Sequence, residues 1–122
     1  MLKENFFIIE DLDINNYEVS SIFIINAGHA IFKGHFPDQP VVPGVCMLQM
    51  TKELLEQVIK KKTDLISASD IKFLAVIDPF KNNAINVSLQ YSIDPADIIV
   101  VIAKLFKENE VHFKFKGKFR IV

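Results

Sequence analysis

The chain has one cysteine, four glycines, a net charge of only −1 and no long apolar run in its 122 residues. A lone Cys46 cannot close an intrachain disulfide. It lies among apolar residues and reads as a small packing residue, with a reactive thiol as the alternative. With so few glycines, none forms a phosphate-cradling loop, so nucleotide binding has no support. Near-neutral charge argues against nucleic acid, which favours basic domains. No apolar stretch approaches the roughly 18 residues of a membrane-spanning helix. Glu10, Asp11 and Asp13 interrupt the N-terminal apolar stretch before it could serve as a secretory h-region. A soluble cytoplasmic chain without membrane attachment is expected. His29, His35 and His112 lack the local spacing of a metal site, so neither a metal nor another cofactor is expected. The sequence shows no repeat, linker or low-complexity segment. Its length fits one domain, 1–122, burying about two-thirds of its unfolded surface.

Half of the residues are hydrophobic and eleven are Phe. Phe6 to Glu10 and Tyr17 to Asn26 read as strands, and His29 to Lys33 as a short extended piece. From Pro43 to Lys61 the pattern turns helical, with apolar residues at Val45, Leu48, Leu55, Val58 and Ile59. Met47, Met50 and Leu54 add apolar character on its other side, which predicts a helix buried against a sheet. Four further strands follow, Leu65 to Val76, Ala84 to Ser92, Ile98 to Lys107 and Val111 to Val122. In the last, Val111, Phe113, Phe115, Phe119 and Ile121 alternate with His112, Lys114, Lys116, Lys118 and Arg120, predicting one inward and one wet face. The connections are too short for helical crossovers. An α+β fold with a largely antiparallel sheet and one long helix is therefore expected.

The densest local signal is His35-Phe36-Pro37-Asp38-Gln39-Pro40-Val41-Val42-Pro43-Gly44-Val45, where three of the five prolines fall within seven residues. Each proline fixes φ near −65° and pushes its predecessor toward extended geometry, so the loop should be stiff. Pro43 suits a first helical position. The N–H groups of Gly44 and Val45 then lack intrahelical acceptors and can receive partial negative charge. The pattern His-Phe-Pro-x-x-Pro-x-x-Pro-Gly-Val resembles the signature of the 3-hydroxyacyl-[acyl carrier protein] dehydratases. Weaker similarity continues through Ile71-Lys72-Phe73 to Asp78-Pro79. The resemblance implies the hotdog fold, a curved antiparallel sheet wrapped around one central helix. The usual proline-rich N-terminal start of the family is missing here.

Such a dehydratase needs a base to take a proton from C2 of the acyl thioester and an acid to protonate the leaving hydroxyl. The resemblance gives the first role to His35, whose residue type has an ordinary pKa of about 6.5. Phe36, Pro43, Gly44 and Val45 are the substrate-binding positions it implies. The Gly44 N–H, with Val45 as a second donor, would polarise the thioester carbonyl, a contribution of about 3 to 4 kcal/mol per donor in other enzymes. Fourteen residues after its histidine the family carries a catalytic Glu or Asp. This chain has Gln49 there, and Glu53 stands four residues later, where the family commonly has Gln. An amide cannot deliver a proton and be recharged at neutral pH. Residues i and i+4 share a helix face, so Glu53 is a candidate for a carboxyl displaced by one turn. Partial burial against Met50 and Leu54 would raise its pKa. The plainer alternatives are an exposed helix residue for Glu53 and an amide paired in a dimer interface for Gln49.

Three functions stay open on these residues. They are an active dehydratase using Glu53 or a water held by Gln49, a silent acyl-chain or carrier-protein binding subunit of a heteromeric enzyme, and a hotdog thioesterase. The resemblance implies an acyl thioester on acyl carrier protein as substrate, lipid biosynthesis of the fatty acid or polyketide type, and a homodimer or higher dimer-based oligomer whose site lies between protomers. The basic face from His112 to Arg120 could attract an acidic carrier or simply be solvated.

Overall fold

The computed structural model describes residues 1–34, 38 and 40–122. The elements are β1 (Phe7–Asn15), β2 (Glu18–Ile25), a one-turn α1 (Ile31–Gly34), the long α2 (Gly44–Ile59), β3 (Thr63–Phe73), β4 (Ala84–Ile93), β5 (Ile98–Lys107) and β6 (Glu110–Ile121). The six strands form one sheet in the order β1-β2-β4-β5-β6-β3. Every neighbouring pair is antiparallel. The curved antiparallel sheet with its single long helix is the hotdog fold, of class α+β.

Register explains how the core assembles. Val19, Phe23, Ile85, Val87, Leu89, Ile99, Val101, Ala103, Leu105, Phe113, Phe115 and Phe119 are all buried. Directly paired positions such as Phe23↔Ile85, Val87↔Leu105, Ala103↔Phe115 and Ile99↔Phe119 align these residues across four strands. Cys46, Met47, Met50, Leu54 and Leu55 of α2 join the same cluster. Burying one such side chain contributes about 1.5 to 3 kcal/mol. The rings of Phe73, Phe113, Phe115 and Phe119 form a ladder with successive centroid distances of 5.4, 6.4 and 5.8 Å.

Four expectations are corrected. His29 to Lys33 is not extended, since its end enters α1. The Ile31 N–H donates to His29 Nδ1 and the Phe32 N–H to the His29 carbonyl, and these local bonds wind the turn. The first strand continues to Asn15, past the acidic cluster, because an edge strand leaves its charges in water. A register shift between Glu10 and Asp13, with Asp11 at φ 50°, absorbs the irregularity. The long helix spans Gly44–Ile59, with Pro43 as its N-cap at φ −61° and ψ 144° rather than its first residue. Lys60 stops it in the left-handed conformation at φ 59°.

The fourth correction concerns His112, expected on the wet face and found only 2% exposed. Phe113 pairs with Leu105 and Val111 with Phe106, which leaves His112 as an extra residue in β6. This bulge breaks the alternation and turns two consecutive side chains inward. Beyond it the predicted pattern resumes, with Lys114, Lys116, Lys118 and Arg120 exposed.

The sheet ends in two edges, β1 and β3. On β3, Leu65, Ile66, Ile71 and Phe73 are exposed. Glu56 ties the start of that strand to α2, accepting the Thr63 N–H at 2.6 Å and its hydroxyl at 3.1 Å.

Candidate functional site

The start of α2 leaves backbone donors free, as any helix start does. Pro43 has no side-chain hydrogen bond to offer as a cap. Its carbonyl accepts the N–H groups of Cys46 and Met47, at 3.0 and 3.3 Å. Among the described residues, no acceptor is bonded to the N–H of Gly44 or Val45. The Val45 side chain is 73% exposed. Pro43 and Gly44 open into a groove of about 360 Å³ walled by Val41, Val42, Met47, Phe73, Ala75 and Val76. Glycine at 44 lets the Phe73 ring stand against the helix start, because a Cβ there would lie 2.8 and 2.9 Å from two of its ring carbons.

Gln49 and Glu53 do share one face of α2, as their spacing predicts. The Gln49 side-chain amide donates to Glu53 Oε2 at 2.8 Å. Glu53 is not the exposed helix residue of the plainer alternative, being 1% exposed. Its two oxygens also accept backbone N–H groups from the N-terminus, Leu2 onto Oε2 and Lys3 onto Oε1, both at 2.8 Å. Lys3 Nζ adds a bond to Gln57 Oε1 at 3.0 Å. The carboxylate is thus held by three donors and covered by residues 2 and 3.

Within one chain the structure does not bring the two ends of the candidate site together. Nine residues of helix separate Gly44 from Glu53, about 13 Å along the axis at 1.5 Å per residue. A second cleft, about 220 Å³, is lined by Lys3, Glu53, Gln57 and neighbouring residues and shares none with the groove. His35 and Phe36 lie outside the described residues.

The remaining candidates fall into place by their contacts. Cys46 is buried, and desolvation pushes its thiol pKa up from the ordinary value, which makes it a packing residue. The His29 ring packs nearly perpendicular to that of Phe6, with centroids 5.4 Å apart, and His29 Nδ1 caps the turn of α1. Two contributors were not legible beforehand. The Leu2 and Lys3 N–H groups carry no sequence signal because every non-proline residue has one. Phe73, part of the Ile71-Lys72-Phe73 similarity, gave no hint that its ring would stand against Gly44.

Comparisons with known proteins agree on the family. A family model described as ApeI-like, ApeI dehydratase, matches residues 12–120. The 3-hydroxyacyl-[acyl-carrier-protein] dehydratase FabZ of Coxiella burnetii is 28% identical over 95 residues, 77% of this chain and 62% of the relative. The chain therefore spans less than two-thirds of that relative's length. FabZ of Aeromonas hydrophila is 27% identical over 111 residues, 85% of this chain and 68% of the relative. Among solved structures, the dehydratase heterocomplex ApeI:P from Xenorhabdus doucetiae superposes with a TM-score of 0.68 at 18% identity, covering 93% of this chain and 97% of that one. A candidate thioesterase of Ralstonia eutropha, related to phenylacetic acid degradation, superposes with a TM-score of 0.64 at 11% identity, covering 95% and 84%. These likenesses show the shared hotdog fold. The family match extends over nearly the whole sequence, and the chain belongs to the ApeI-like dehydratase family.

Proposed function

We propose that the chain removes water from 3-hydroxyacyl thioesters carried on acyl carrier protein. The observation that carries this reading is the unbonded N–H pair at the start of α2, opening into an apolar groove in a chain of a dehydratase family. The acyl chain lies along the groove and the thioester carbonyl meets the Gly44 N–H, with Val45 as second donor. Electron density drawn to that oxygen acidifies C2, and His35 takes the C2 proton. The C3–O bond then breaks, and the hydroxyl leaves as water once an acid protonates it. The relatives named for acyl carrier protein substrates support the carrier-bound form.

The acid has two possible sources. In the first, Glu53 supplies the proton directly or through a water at Gln49, after Leu2 and Lys3 release the carboxylate. In the second, the chain contributes His35 and the helix start while a second subunit brings the carboxyl. The full occupation of Glu53 by three donors favours the second, as does the heteromeric assembly named for the Xenorhabdus neighbour. The exposed apolar residues of edge strand β3 suit pairing with another protomer, either a second copy or a related chain. A cytoplasmic location is part of the same proposal.

The test follows enoyl thioester formation from a 3-hydroxyacyl thioester, on the carrier and on a short thiol mimic. Turnover by the chain alone that is lost in His35→Ala supports the first arrangement. Turnover only with a second hotdog subunit, or after Gln49→Glu, supports the second. Release of free thiol without enoyl product decides for a thioesterase and overturns the proposal.

A further inference from the structure

His112 has no part in the reaction proposed above, yet it is 2% exposed and its Nε2 has no hydrogen-bond partner among the described residues. The bulge that makes it the extra residue of β6 carries it beneath the segment that follows β3. Three contacts join them. The His112 carbonyl accepts the N–H of Leu74 at 2.9 Å and of Ala75 at 3.5 Å, and His112 Nδ1 lies 3.2 Å from the Ala75 carbonyl. A carbonyl can only accept, so Nδ1 is the donor in this contact. The nearest charged group given by the structure is the Glu110 carboxylate, 3.9 Å from Nε2 and largely exposed.

The segment held this way is one wall of the groove. Phe73, Ala75 and Val76 face Val41, Pro43 and Gly44 across it. At its far end the wall is pinned to the opposite side by the Val42 N–H donating to the Ile77 carbonyl at 2.9 Å. At its near end the side-chain clamp is His112. Freed there, residues 75 and 76 could shift between the Leu74–His112 backbone bond and Ile77 and change the groove wall beside Gly44.

We propose that His112 is a positioning residue, its Nδ1–H fixing the Ala75 carbonyl and thereby the width of the groove at the helix start. The kinetic part rests on the dehydratase reading, but the structural part does not. Three variants separate them. His112→Asn places its amide nitrogen where Nδ1 stood and keeps the bond, whereas His112→Gln reaches only the Nε2 position and His112→Leu has no donor.

The experiment reads backbone amide exchange of the full chain without substrate. His112→Leu and His112→Gln should speed exchange across 75–77 by roughly tenfold relative to β1 and β2, with His112→Asn close to wild type, as expected for loss of one hydrogen bond. Nitrogen chemical shifts of wild-type His112 should report the Nδ1–H tautomer. Equal exchange in all four proteins, or the Nε2–H tautomer, overturns the proposal. Should the Leu variant fail to fold, the Gln and Asn comparison and the tautomer still decide.

Where wild type dehydrates, Leu and Gln should raise KM for the acyl thioester roughly tenfold with a smaller change in kcat, and Asn should restore it. A wild type that dehydrates neither alone nor with a second hotdog subunit, but shows the expected exchange pattern, refutes the function and leaves the role of His112 standing. Expected exchange with no KM change in an active enzyme refutes the link to the groove.

Discussion

Replacing Glu53 with Gln changes a single atom, and the consequences separate a carboxylate that holds the fold from one that gives up a proton. Three donors converge on the wild-type carboxylate, from Leu2, Lys3 and Gln49. A glutamine offers one carbonyl oxygen. If that oxygen takes the Oε2 position, the Leu2 and Gln49 bonds survive and the Lys3 N–H meets an NH2 group. If it takes the Oε1 position, the Lys3 bond survives and both the Leu2 N–H and the Gln49 amide are left facing an NH2 group. The first orientation loses the fewer bonds and is the one expected: one charge-assisted bond, about 1.5 to 3 kcal/mol, is lost and the others weaken toward neutral strength. Fraying of residues 1–3 into water limits the total, so we expect a loss of about 2 to 3 kcal/mol. For 122 residues this corresponds to a fall in Tm of about 8 to 12 °C.

The assay is thermal and urea unfolding of four proteins: wild type, Glu53→Gln, a chain beginning at Glu4, and the combination. The shortened chain has already lost the Leu2 and Lys3 donors, so Glu53→Gln should then cost less than about 1 kcal/mol. The expected coupling is about 2 kcal/mol. An equal cost in both backgrounds, or no cost in the full chain, would refute the clamp. Turnover gives the other half of the test. Glu53→Gln that keeps full rate excludes the displaced-acid route, whereas rate lost on Glu53→Gln in both backgrounds, at little cost in stability in the shortened one, supports it.

Four further outcomes are expected. Gly117→Ala should destabilise by about 2 to 4 kcal/mol in urea unfolding, because its Cβ would sit 2.6 Å from the Ser67 carbonyl oxygen and 2.5 Å from a Phe115 ring carbon, and backbone cannot give way. Gly44→Ala meets only the half-exposed Phe73 ring, so its stability should change by less than about 1 kcal/mol while KM for the acyl thioester rises, a split that equal losses in both would contradict. Glu108→Gly should raise stability by about 0.5 to 1 kcal/mol, since Glu108 sits at φ 53° in the turn joining β5 to β6, and an unchanged unfolding midpoint would count against strain there. Cys46 should resist alkylation in the native state. Its raised thiol pKa means the folded chain holds that proton more tightly, so the associated stability is present below pH 9.0 and lost as pH rises above it, a slope that Cys46→Ala should remove.

The C-terminal strands were legible because Ala84–Ile93 and Glu110–Ile121 alternate in polarity over most of their length and Ile98–Lys107 is dense in β-branched residues. Thr63–Phe73, Ala84–Ile93, Ile98–Lys107 and Glu110–Ile121 fall within a few residues of the predicted bounds. Departures occur where local bonding outweighs pattern. A one-turn helix at Ile31–Gly34 is too short to show a period and is wound by His29. The bulge at His112 shifts a single residue between faces, which alternation cannot foresee. The candidate site divides along the same line. Gly44 and the unbonded N–H groups follow from the prolines before them, a local constraint. The environment of Glu53 is set by residues 50 and 51 positions earlier in the chain, whose contribution is backbone alone. The spacing of Gln49 and Glu53 identified a pair on one face of the helix, and only the folded chain reveals that the pair is turned toward the N-terminus. Any chemistry at Glu53 therefore depends on whether residues 2 and 3 stay docked, which makes the N-terminal segment the first place to look for a difference between an active and a silent form.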